Sequence, residues 1–284
     1  MIDPAVLDAC ARGELSPQLA LARLLLAGRA PDPAVLAEAA ARRPEAAPLR
    51  ELARLAAVDP GRMERLASLA RRGLDPEGED GVAAAAALYD RLAAETPEAA
   101  VAFYSLGDPE LLAVATRELA GVIRDWRPTA GLQVLDLGCG IGRVAAALAD
   151  DAAAVVGIDV SGRMVEEARR RAEARAGLRF ELANGRDLRE HADAAYDLVL
   201  IADAMPYVVR AGEPATARLL AEAARVLRPG GDLLVFNWSY RGDTAADAAD
   251  ARRHAEALGL EPLRVGERPF RVWDATGFQL RRPE

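Results

Sequence analysis

The sequence predicts an α/β protein in which an all-α N-terminal region precedes a doubly wound, mostly parallel sheet of seven strands that ends in an antiparallel hairpin. Beyond residue 126, short apolar runs alternate with helical patterns, as in a parallel sheet covered by helices. Before residue 126, helix-start signals recur and strand-like alternation is absent. A chain of 284 residues with 51% hydrophobic residues can bury a substantial core in one large or two medium domains.

In the front part of the chain, a capping residue is repeatedly followed by proline. These pairs are Asp3-Pro4, Ser16-Pro17, Asp32-Pro33, Thr96-Pro97 and Asp108-Pro109. The Asp, Ser or Thr side chain can accept an unpaired N–H at a helix start, and proline at the first helical position gives up no hydrogen bond. We therefore expect five to eight short helices up to Trp126, with Gly28 and Gly73 as stops. Asp59-Pro60-Gly61 is either another helix start or a turn.

Glycine, proline and acidic residues cluster at Gly73–Gly81 and predict a linker. We accordingly expect three parts: an N-terminal helical domain at 1–75, a helical lid or connector at 76–126, and a ligand-binding domain at 127–284. The connector concentrates aromatic residues in a chain that has only 5% of them. These side chains either pack the helices onto the sheet or, for Tyr104 or Tyr89, close over a ligand.

The sheet begins at Val134–Leu137, an apolar run that leads into a helix through a glycine-rich turn. Gly138, Gly140 and Gly142 let the backbone turn tightly and let a ligand approach main-chain N–H groups without interference from a Cβ atom. This turn is therefore the predicted small-molecule site.

The remaining elements follow in order along the chain. Strands are predicted at Ala154–Asp159, Leu178–Leu182, Tyr196–Ile201, Asp232–Asn237, Leu263–Arg268 and Gly277–Arg282. Helices are predicted from the capping residue Ser161 to Gly177, from about Pro214 to Leu227, and from Asp243 to Gly259. The last two strands have no helix between them, so we expect them to form a hairpin. Asp159 follows the glycines by about 20 residues, the distance at which doubly wound folds place a carboxylate against ribose hydroxyls.

Charge and composition disfavour several classes of partner. The net charge of −8 and a pI near 5.1 argue against an electrostatic grip on nucleic acid or on an anionic membrane. Cys10 and Cys139 are far apart in sequence, which indicates a reducing compartment. With no signal-peptide pattern at the start and no apolar run of about 18 residues, we expect a cytoplasmic protein.

Metal and acyl chemistry have no support in the sequence. His191 and His254 fall in different predicted segments, where we expect both to be exposed, and no paired Cys or His spacing occurs. No Gly-x-Ser-x-Gly elbow is present. The predicted site therefore contains no metal and no serine nucleophile.

Five segments in order resemble the motifs of class I S-adenosylmethionine-dependent methyltransferases, over roughly residues 85 to 284. They are Asp136–Gly142, Asp159, Asp187 within Asn184-Gly-Arg-Asp187, Tyr196-Asp-Leu-Val, and Leu227-Arg-Pro-Gly-Gly-Asp-Leu-Leu-Val. The resemblance implies a Rossmann-like methyltransferase domain at 127–284, with S-adenosylmethionine as cofactor and S-adenosylhomocysteine as product.

The resemblance also implies which residues hold the cofactor. They are Asp136, Gly138, Cys139, Gly140, Gly142, Asp159, Val160, Asp187, Leu188 and Asp203. Asp136 is expected near the methionine end, Asp159 at the ribose hydroxyls, and Asp187 with Leu188 near the adenine ring. For Asp159 and Asp187 the alternative is a cap of a strand or helix.

Methyl transfer mainly requires that nucleophile, methyl group and sulfur are held in line, so no strong catalytic signature is expected. A hydroxyl or ammonium acceptor needs a base, and Asp203 or Tyr207, just past the fourth strand, is the catalytic candidate. The candidates for the acceptor pocket are Tyr104, Tyr207, Asn237, Trp238 and Tyr240, of which Trp238 is equally suited to a structural role. We expect a small-molecule acceptor and no nucleic-acid or membrane partner, and the helical region is a candidate interface for a homodimer.

Two other functions compete with this interpretation. Gly140-Ile-Gly142-Arg-Val-Ala145 satisfies the Gly-x-Gly-x-x-Gly/Ala pattern of NAD(P)-dependent oxidoreductases, but that function leaves Asp136 and the C-terminal hairpin unexplained. A protein of the methyltransferase fold could also use the pocket for another one-carbon carrier or for regulation.

Overall fold

The computed structural model describes residues 2–72, 81–172 and 175–284, which form thirteen α-helices, one short 3-10 helix and seven β-strands. The helices are α1 (Pro4–Ala11), α2 (Pro17–Leu26), α3 (Pro33–Ala41), α4 (Ala47–Val58), α5 (Pro60–Arg71), α6 (Gly81–Glu95), α7 (Pro97–Val101), α8 (Pro109–Trp126), α9 (Arg143–Leu148), α10 (Gly162–Arg171), α11 (Met205–Arg210), α12 (Glu213–Val226) and α13 (Thr244–Leu258); the 3-10 helix is Phe103–Ser105. The strands are β1 (Gln133–Leu137), β2 (Ala154–Asp159), β3 (Leu178–Leu182), β4 (Tyr196–Ala202), β5 (Leu227–Phe236), β6 (Glu261–Glu267) and β7 (Gly277–Arg281).

All five predicted pairs of a capping residue and proline begin a helix, and Asp59-Pro60 begins another. The Asp and Ser side chains in these pairs accept backbone N–H groups of the first turn, whereas Thr96 makes no such bond. Gly28 follows α2 with a φ of +80°, which confirms it as a stop. The predicted stop Gly73 and the predicted linker, except for Gly81 at the start of α6, lie outside the described residues.

The seven strands form one sheet in the order β3-β2-β1-β4-β5-β7-β6. Strands β1 to β5 are parallel, and β7 lies antiparallel between β5 and β6. The predicted sheet and its C-terminal hairpin are therefore confirmed. The strand order reverses between β1 and β4, and in such sheets ligands bind at the carboxyl ends of the strands on either side of that point.

Two element boundaries differ from the prediction by more than a few residues, and one helix was not predicted. Strand β5 begins at Leu227 rather than Asp232, because Tyr196 and Leu227 already pair before a register shift carries the strand through the Arg-Pro-Gly-Gly turn. Helix α10 ends at Arg171, six residues before Gly177. Helix α11 was not predicted; its first residue, Met205, is fully buried and anchors this short helix against the sheet.

The chain divides into two compact units, each with its own core. The first comprises Met1–Asp75, Glu95–Ala115 and Phe270–Asp274, and the second comprises Pro76–Ala94, Thr116–Pro269 and Ala275–Glu284. In the helical unit, the β6–β7 loop takes part in the core, since Trp273 stacks on Tyr104 with ring centroids 5.8 Å apart. The three-part division at residues 75 and 126 stays a prediction.

Both histidines are buried, so the prediction that they are exposed was wrong. His191 places Nδ1 2.8 Å from the hydroxyl of Tyr196, and His254 lies on the inner face of α13 with its ring 6.2 Å from that of Trp238. Within the described residues, no group of three or more His, Cys, Asp or Glu is arranged to hold a metal ion. No helix in the described ranges is both long enough and apolar enough to cross a membrane.

Candidate active site

The glycine turn after β1 is built from left-handed backbone and close packing. Gly138, Gly140 and Gly142 have φ values of +75°, +54° and +74°. A Cβ atom on Gly142 would lie 2.5 Å from the ring of Phe180, and one on Gly138 would lie 2.5 Å from the Cβ atom of Ala204. Glycine is therefore required both by the backbone conformation and by the neighbours of the turn.

Hydrogen bonds tie the same turn to β2. The N–H groups of Gly138 and Cys139 both donate to the carbonyl of Ile158, at 2.8 and 3.0 Å. Cys139 is buried, and burial raises the pKa of its thiol well above the usual value. Cys139 consequently serves the turn as a small apolar side chain and not as a nucleophile.

Asp136, on β1, is a buried carboxylate with unsatisfied hydrogen-bonding capacity. It is 1% exposed, and within the described part of the chain its Oδ2 atom has no hydrogen-bond partner. Burial raises the pKa of Asp136 from 3.8 to about 7, while the nearby Arg143 guanidinium opposes the shift. Such an oxygen is costly in isolation, so the site fits a ligand that brings a positively charged donor.

Asp159 is the last residue of β2 and stabilises the glycine turn through hydrogen bonds, a role called bracing below. Its Oδ2 atom accepts the N–H of Gly140 at 2.8 Å, and its Oδ1 atom accepts the N–H of Ser161 at 2.9 Å. Burial raises the pKa of Asp159, and these two backbone donors oppose that shift. Each carboxylate oxygen has two lone pairs, so the group can accept ribose hydroxyls while it holds the turn. Sequence reasoning missed this bracing role.

The predicted adenine contacts lie in the turn after β3, at the same edge of the sheet as Asp159. Asp187 accepts from Asn184 Nδ2 at 2.9 Å and pairs with Arg189, which lowers the pKa of Asp187. Leu188 is buried in the core, and its N–H donates to Glu222. Asp187 therefore stays ionised and offers an acceptor, whereas Leu188 offers an apolar side chain. Val160 is half-buried next to Gly185 in the same region.

Asp203 and Asn237 directly follow β4 and β5, and both have left-handed backbone, with φ values of +63° and +69°. The Asn237 side chain donates to Asp203 Oδ1 at 2.7 Å, and the Tyr240 hydroxyl donates to the same oxygen at 3.0 Å. Left-handed backbone at non-glycine residues is strained and is often found at functional sites. The structure thus brings three of the predicted acceptor-side residues together.

Two further tyrosines extend this cluster. The ring of Tyr207 lies edge-on to Tyr240, at 5.7 Å between centroids and 85°, and edge-on to Tyr89, at 5.5 Å and 83°. Burial, followed by the adjacent Tyr207, raises the pKa of Tyr89 well above its usual value. Tyr89 belongs to the cluster although the sequence favoured Tyr104, and only the aromatic concentration upstream of the glycine turn pointed to it.

Tyr104, whose place in the acceptor pocket stays a prediction, and Trp238 have aromatic partners of their own. Tyr104 belongs to the helical unit and stacks on Trp273 there. Trp238 is fully buried in the core of the sheet unit and packs on Phe278, with 5.1 Å between ring centroids. Trp238 therefore exposes no surface to an acceptor and has the structural role that was its alternative.

Comparison with known proteins identifies the family. A family profile described as a methyltransferase domain matches residues 134–231. The chain is also 31% identical, over 205 residues, to the O-methyltransferase resE of Aspergillus sclerotiorum, and the match covers 68% of this chain and 75% of the relative. The chain belongs to the class I S-adenosylmethionine-dependent methyltransferases. This methyltransferase accordingly has S-adenosylmethionine as its cofactor.

Other relatives match a smaller part of the methyltransferase. The demethylmenaquinone methyltransferase of Tropheryma whipplei is 38% identical over 112 residues, which are 39% of this chain and 44% of the relative. The chain thus spans less than half the length of the first curated relatives that it matches. A chain from the complex of the Haloferax volcanii Trm112 methyltransferase activator with a methyltransferase shares the fold, with a TM-score of 0.53, 20% identity, and coverage of 69% of this chain and 98% of that one.

The residues of the methyltransferase fit this cofactor. The partnerless oxygen of Asp136 suits the ammonium group of the methionine moiety, and Asp159 suits the ribose hydroxyls. Both carboxylates stand at the glycine turn, which is hydrogen-bonded to β2 and has no room for a Cβ atom at Gly138 or Gly142. This pair of acceptors is therefore appropriate for a cationic amino-acid nucleoside.

Proposed function

We propose that this protein transfers a methyl group from S-adenosylmethionine to an oxygen, nitrogen or carbon nucleophile of a small-molecule acceptor and releases S-adenosylhomocysteine. The observation that carries the proposal is the buried Oδ2 atom of Asp136, which has no hydrogen-bond partner among the described residues and lies next to the glycine turn. A cationic amino-acid group at this position satisfies an oxygen that otherwise opposes folding.

Three regions of the chain each bind a different part of the cofactor. Asp136 accepts the ammonium group, and Asp159 accepts the ribose hydroxyls while its other contacts hold the turn. Asp187, kept ionised by Arg189, accepts from the exocyclic amine of adenine, with the apolar Leu188 beside it. Bound in this way, the sulfonium supplies a methyl carbon that is already activated for displacement.

The acceptor side is formed by Asp203, Tyr207, Asn237 and Tyr240. Asp203 is the only one of these four that can take a proton from the acceptor near neutral pH, so it is the base in this proposal. Asn237 and Tyr240 both donate to Asp203 Oδ1, which orients the carboxylate. Holding the acceptor and the base in one geometry contributes more to the rate than proton transfer by itself.

A small-molecule acceptor is supported by the names of the relatives and by charge. Curated relatives are named for demethylmenaquinone and for ubiquinone biosynthesis. The net charge of −8 offers no general attraction to nucleic acid.

The division into three parts and a homodimer through the helical region stay predictions. Light scattering on the full chain measures the oligomeric state.

Calorimetric titration of the purified chain with S-adenosylmethionine, S-adenosylhomocysteine and NADH tests the proposal. We expect both sulfur compounds to bind and to raise the melting temperature, as linkage requires, and NADH to do neither. Absence of binding by both sulfur compounds contradicts the proposal. Binding by NADH instead favours the oxidoreductase alternative, and tight binding without turnover of any acceptor favours a regulatory role.

A further inference from the structure

Three tyrosine rings in the sheet unit are arranged as a box. The ring of Tyr207 makes an edge-to-face contact with Tyr89, at 83°, and another with Tyr240, at 85°. The three residues come from α6, α11 and the loop after β5, which are distant in sequence. A box of this kind presents the negative π faces of aromatic rings to whatever occupies it.

The charge in the box is negative. The raised pKa of Tyr89 keeps its phenol protonated, and the neighbouring groups that contribute to this rise include the carboxylates of Asp203 and Asp159. Asp203 lies at the Tyr240 side, where it accepts the Tyr240 hydroxyl at 3.0 Å. Aromatic faces and a carboxylate together attract a cation and repel an anion.

Tyr89 is held in this position by contacts of its own helix. The next residue, Asp90, accepts the Ser161 hydroxyl at 2.6 Å and the N–H of Arg163 at 3.1 Å. Ser161 in turn donates its N–H to Asp159. Helix α6 is therefore hydrogen-bonded to the start of α10, which follows the strand that ends at Asp159. Tyr89 is thus positioned by contacts with the cofactor side of the site.

We infer that the methyl acceptor is a small amine, which binds as an ammonium ion between the rings of Tyr89, Tyr207 and Tyr240 and against the carboxylate of Asp203. This rests on the methyl transfer proposed above. The acceptor nitrogen gives one proton to Asp203, and its lone pair forms the new N–C bond. The S–C bond breaks with its electron pair left on sulfur, and the proton passes from Asp203 to solvent along the exposed side of Tyr240.

Binding of a cation that cannot react tests the box directly. Choline and its neutral isostere 3,3-dimethylbutan-1-ol are titrated into the full chain saturated with S-adenosylhomocysteine, whose sulfur carries no charge. We expect choline to bind at least roughly tenfold more tightly than the alcohol, because only choline gains the cation–π and carboxylate attraction. Equal affinities overturn the inference.

Variants of the tyrosines distinguish the contribution of the aromatic ring to choline binding from that of the hydroxyl group. Tyr207→Phe keeps the ring and is expected to change the choline Kd by less than about threefold, whereas Tyr207→Leu is expected to raise it roughly five- to thirtyfold. Tyr240→Leu provides a second variant, since 57% of the Tyr240 surface is exposed and its replacement does not disturb the core. An unchanged choline Kd in both leucine variants overturns the inference.

Turnover distinguishes this inference from the proposed function. Release of S-adenosylhomocysteine is measured with a panel of primary, secondary and tertiary amines and a matched panel of alcohols and phenols. Turnover confined to hydroxyl acceptors leaves the proposed function standing and overturns the amine assignment, whereas failure to bind S-adenosylmethionine removes both. If Tyr207→Leu weakens binding of S-adenosylmethionine alone and leaves choline unaffected, the rings serve the sulfonium and the inference is wrong.

Discussion

The two halves of the active-site edge are built in different ways. On the cofactor side, after β1 and β2, backbone groups make most of the contacts, and Asp159 takes its two bonds from the N–H groups of Gly140 and Ser161. On the acceptor side, after β4 and β5, side chains contact side chains, as in the bonds of Asn237 and Tyr240 to Asp203. The cofactor side is therefore held mainly through backbone hydrogen bonds, and the acceptor side is held through contacts between side chains.

This difference implies that the stability of the protein and its specificity for the acceptor depend on different residues. The cofactor turn packs against Phe180 and Ala204 so closely that a single added Cβ atom does not fit. The acceptor side includes Tyr240, more than half exposed, whose contacts can change without disturbing the sheet. Changes on the cofactor side should alter folding and cofactor affinity, whereas changes on the acceptor side should alter the choice of acceptor.

The largest expected effect is the pH dependence contributed by Asp136. Its pKa of about 7 in the folded protein exceeds the value of about 4 in the unfolded chain, so its contribution favours folding below pH 4 and is lost as pH rises to about 7. Relative to Asp136→Asn, the free energy of unfolding of the unliganded wild type should fall by about 4 kcal/mol between pH 4 and pH 8. Urea denaturation at both pH values measures it.

Asp187→Asn is the matched control, because the pKa of Asp187 is lowered, chiefly by its bond from Arg189, and its contribution favours folding above the unfolded pKa. This contribution is lost only as pH falls below the unfolded pKa of about 4, so the free energies of unfolding of Asp187→Asn and the wild type should differ by nearly the same amount at pH 4 and at pH 8. A pH-dependent fall as large for Asp187 as for Asp136 would falsify the assignment of burial as the cause at Asp136.

The next effect is steric. In Gly142→Ala, the new Cβ atom would lie 2.5 Å from Phe180 Cζ and 3.0 Å from Ala168 Cβ, at a φ of +74°. Overpacking and left-handed strain together should lower the free energy of unfolding by about 3 kcal/mol. Gly162→Ala, with no atom within 4 Å of the new Cβ, should be neutral or slightly stabilising in the same denaturation series. Equal effects at the two glycines would contradict the close packing of the turn.

Removal of the ribose acid should have an intermediate effect, on affinity. Asp159→Ala deletes the charged acceptor and the brace of Gly140, so the Kd for S-adenosylmethionine should rise roughly ten- to hundredfold. Calorimetry measures the Kd, and Asp243→Ala, which removes only the cap of α13, is the control with unchanged affinity. Unchanged affinity in Asp159→Ala would place the ribose elsewhere.

The smallest expected effect lies on the acceptor side. Tyr240→Phe removes the hydroxyl that donates to Asp203 and leaves the ring in place. Because Tyr240 is largely exposed, the free energy of unfolding should change by less than about 1 kcal/mol, while kcat/KM for the acceptor falls. Thermal denaturation and initial rates measure the two quantities. A loss of stability as large as that of Gly142→Ala would remove the contrast between the two halves.

Patterns confined to one segment predicted the fold well. Strands β2 and β3 begin and end where their apolar runs do, and Pro17 and Pro33 each begin a helix after a capping residue. These signals are local. The pattern of apolar residues predicts a strand, and a side-chain oxygen acceptor before proline predicts the start of a helix. Boundaries were missed where tertiary contacts decide, as at Leu227, which is strand because it pairs with Tyr196.

The sequence itself determines the parallel sheet, the glycine turn and the order of the acids on β1, at the end of β2 and after β4, because each follows from spacing along one short segment. Only the tertiary structure decides that Trp238 is buried in the core and that Tyr89 meets Tyr207, since both depend on contacts with other segments of the chain. The same holds for the partnerless oxygen of Asp136. The free-energy cost of burying this oxygen depends on the protein atoms around it and not on its neighbours in sequence.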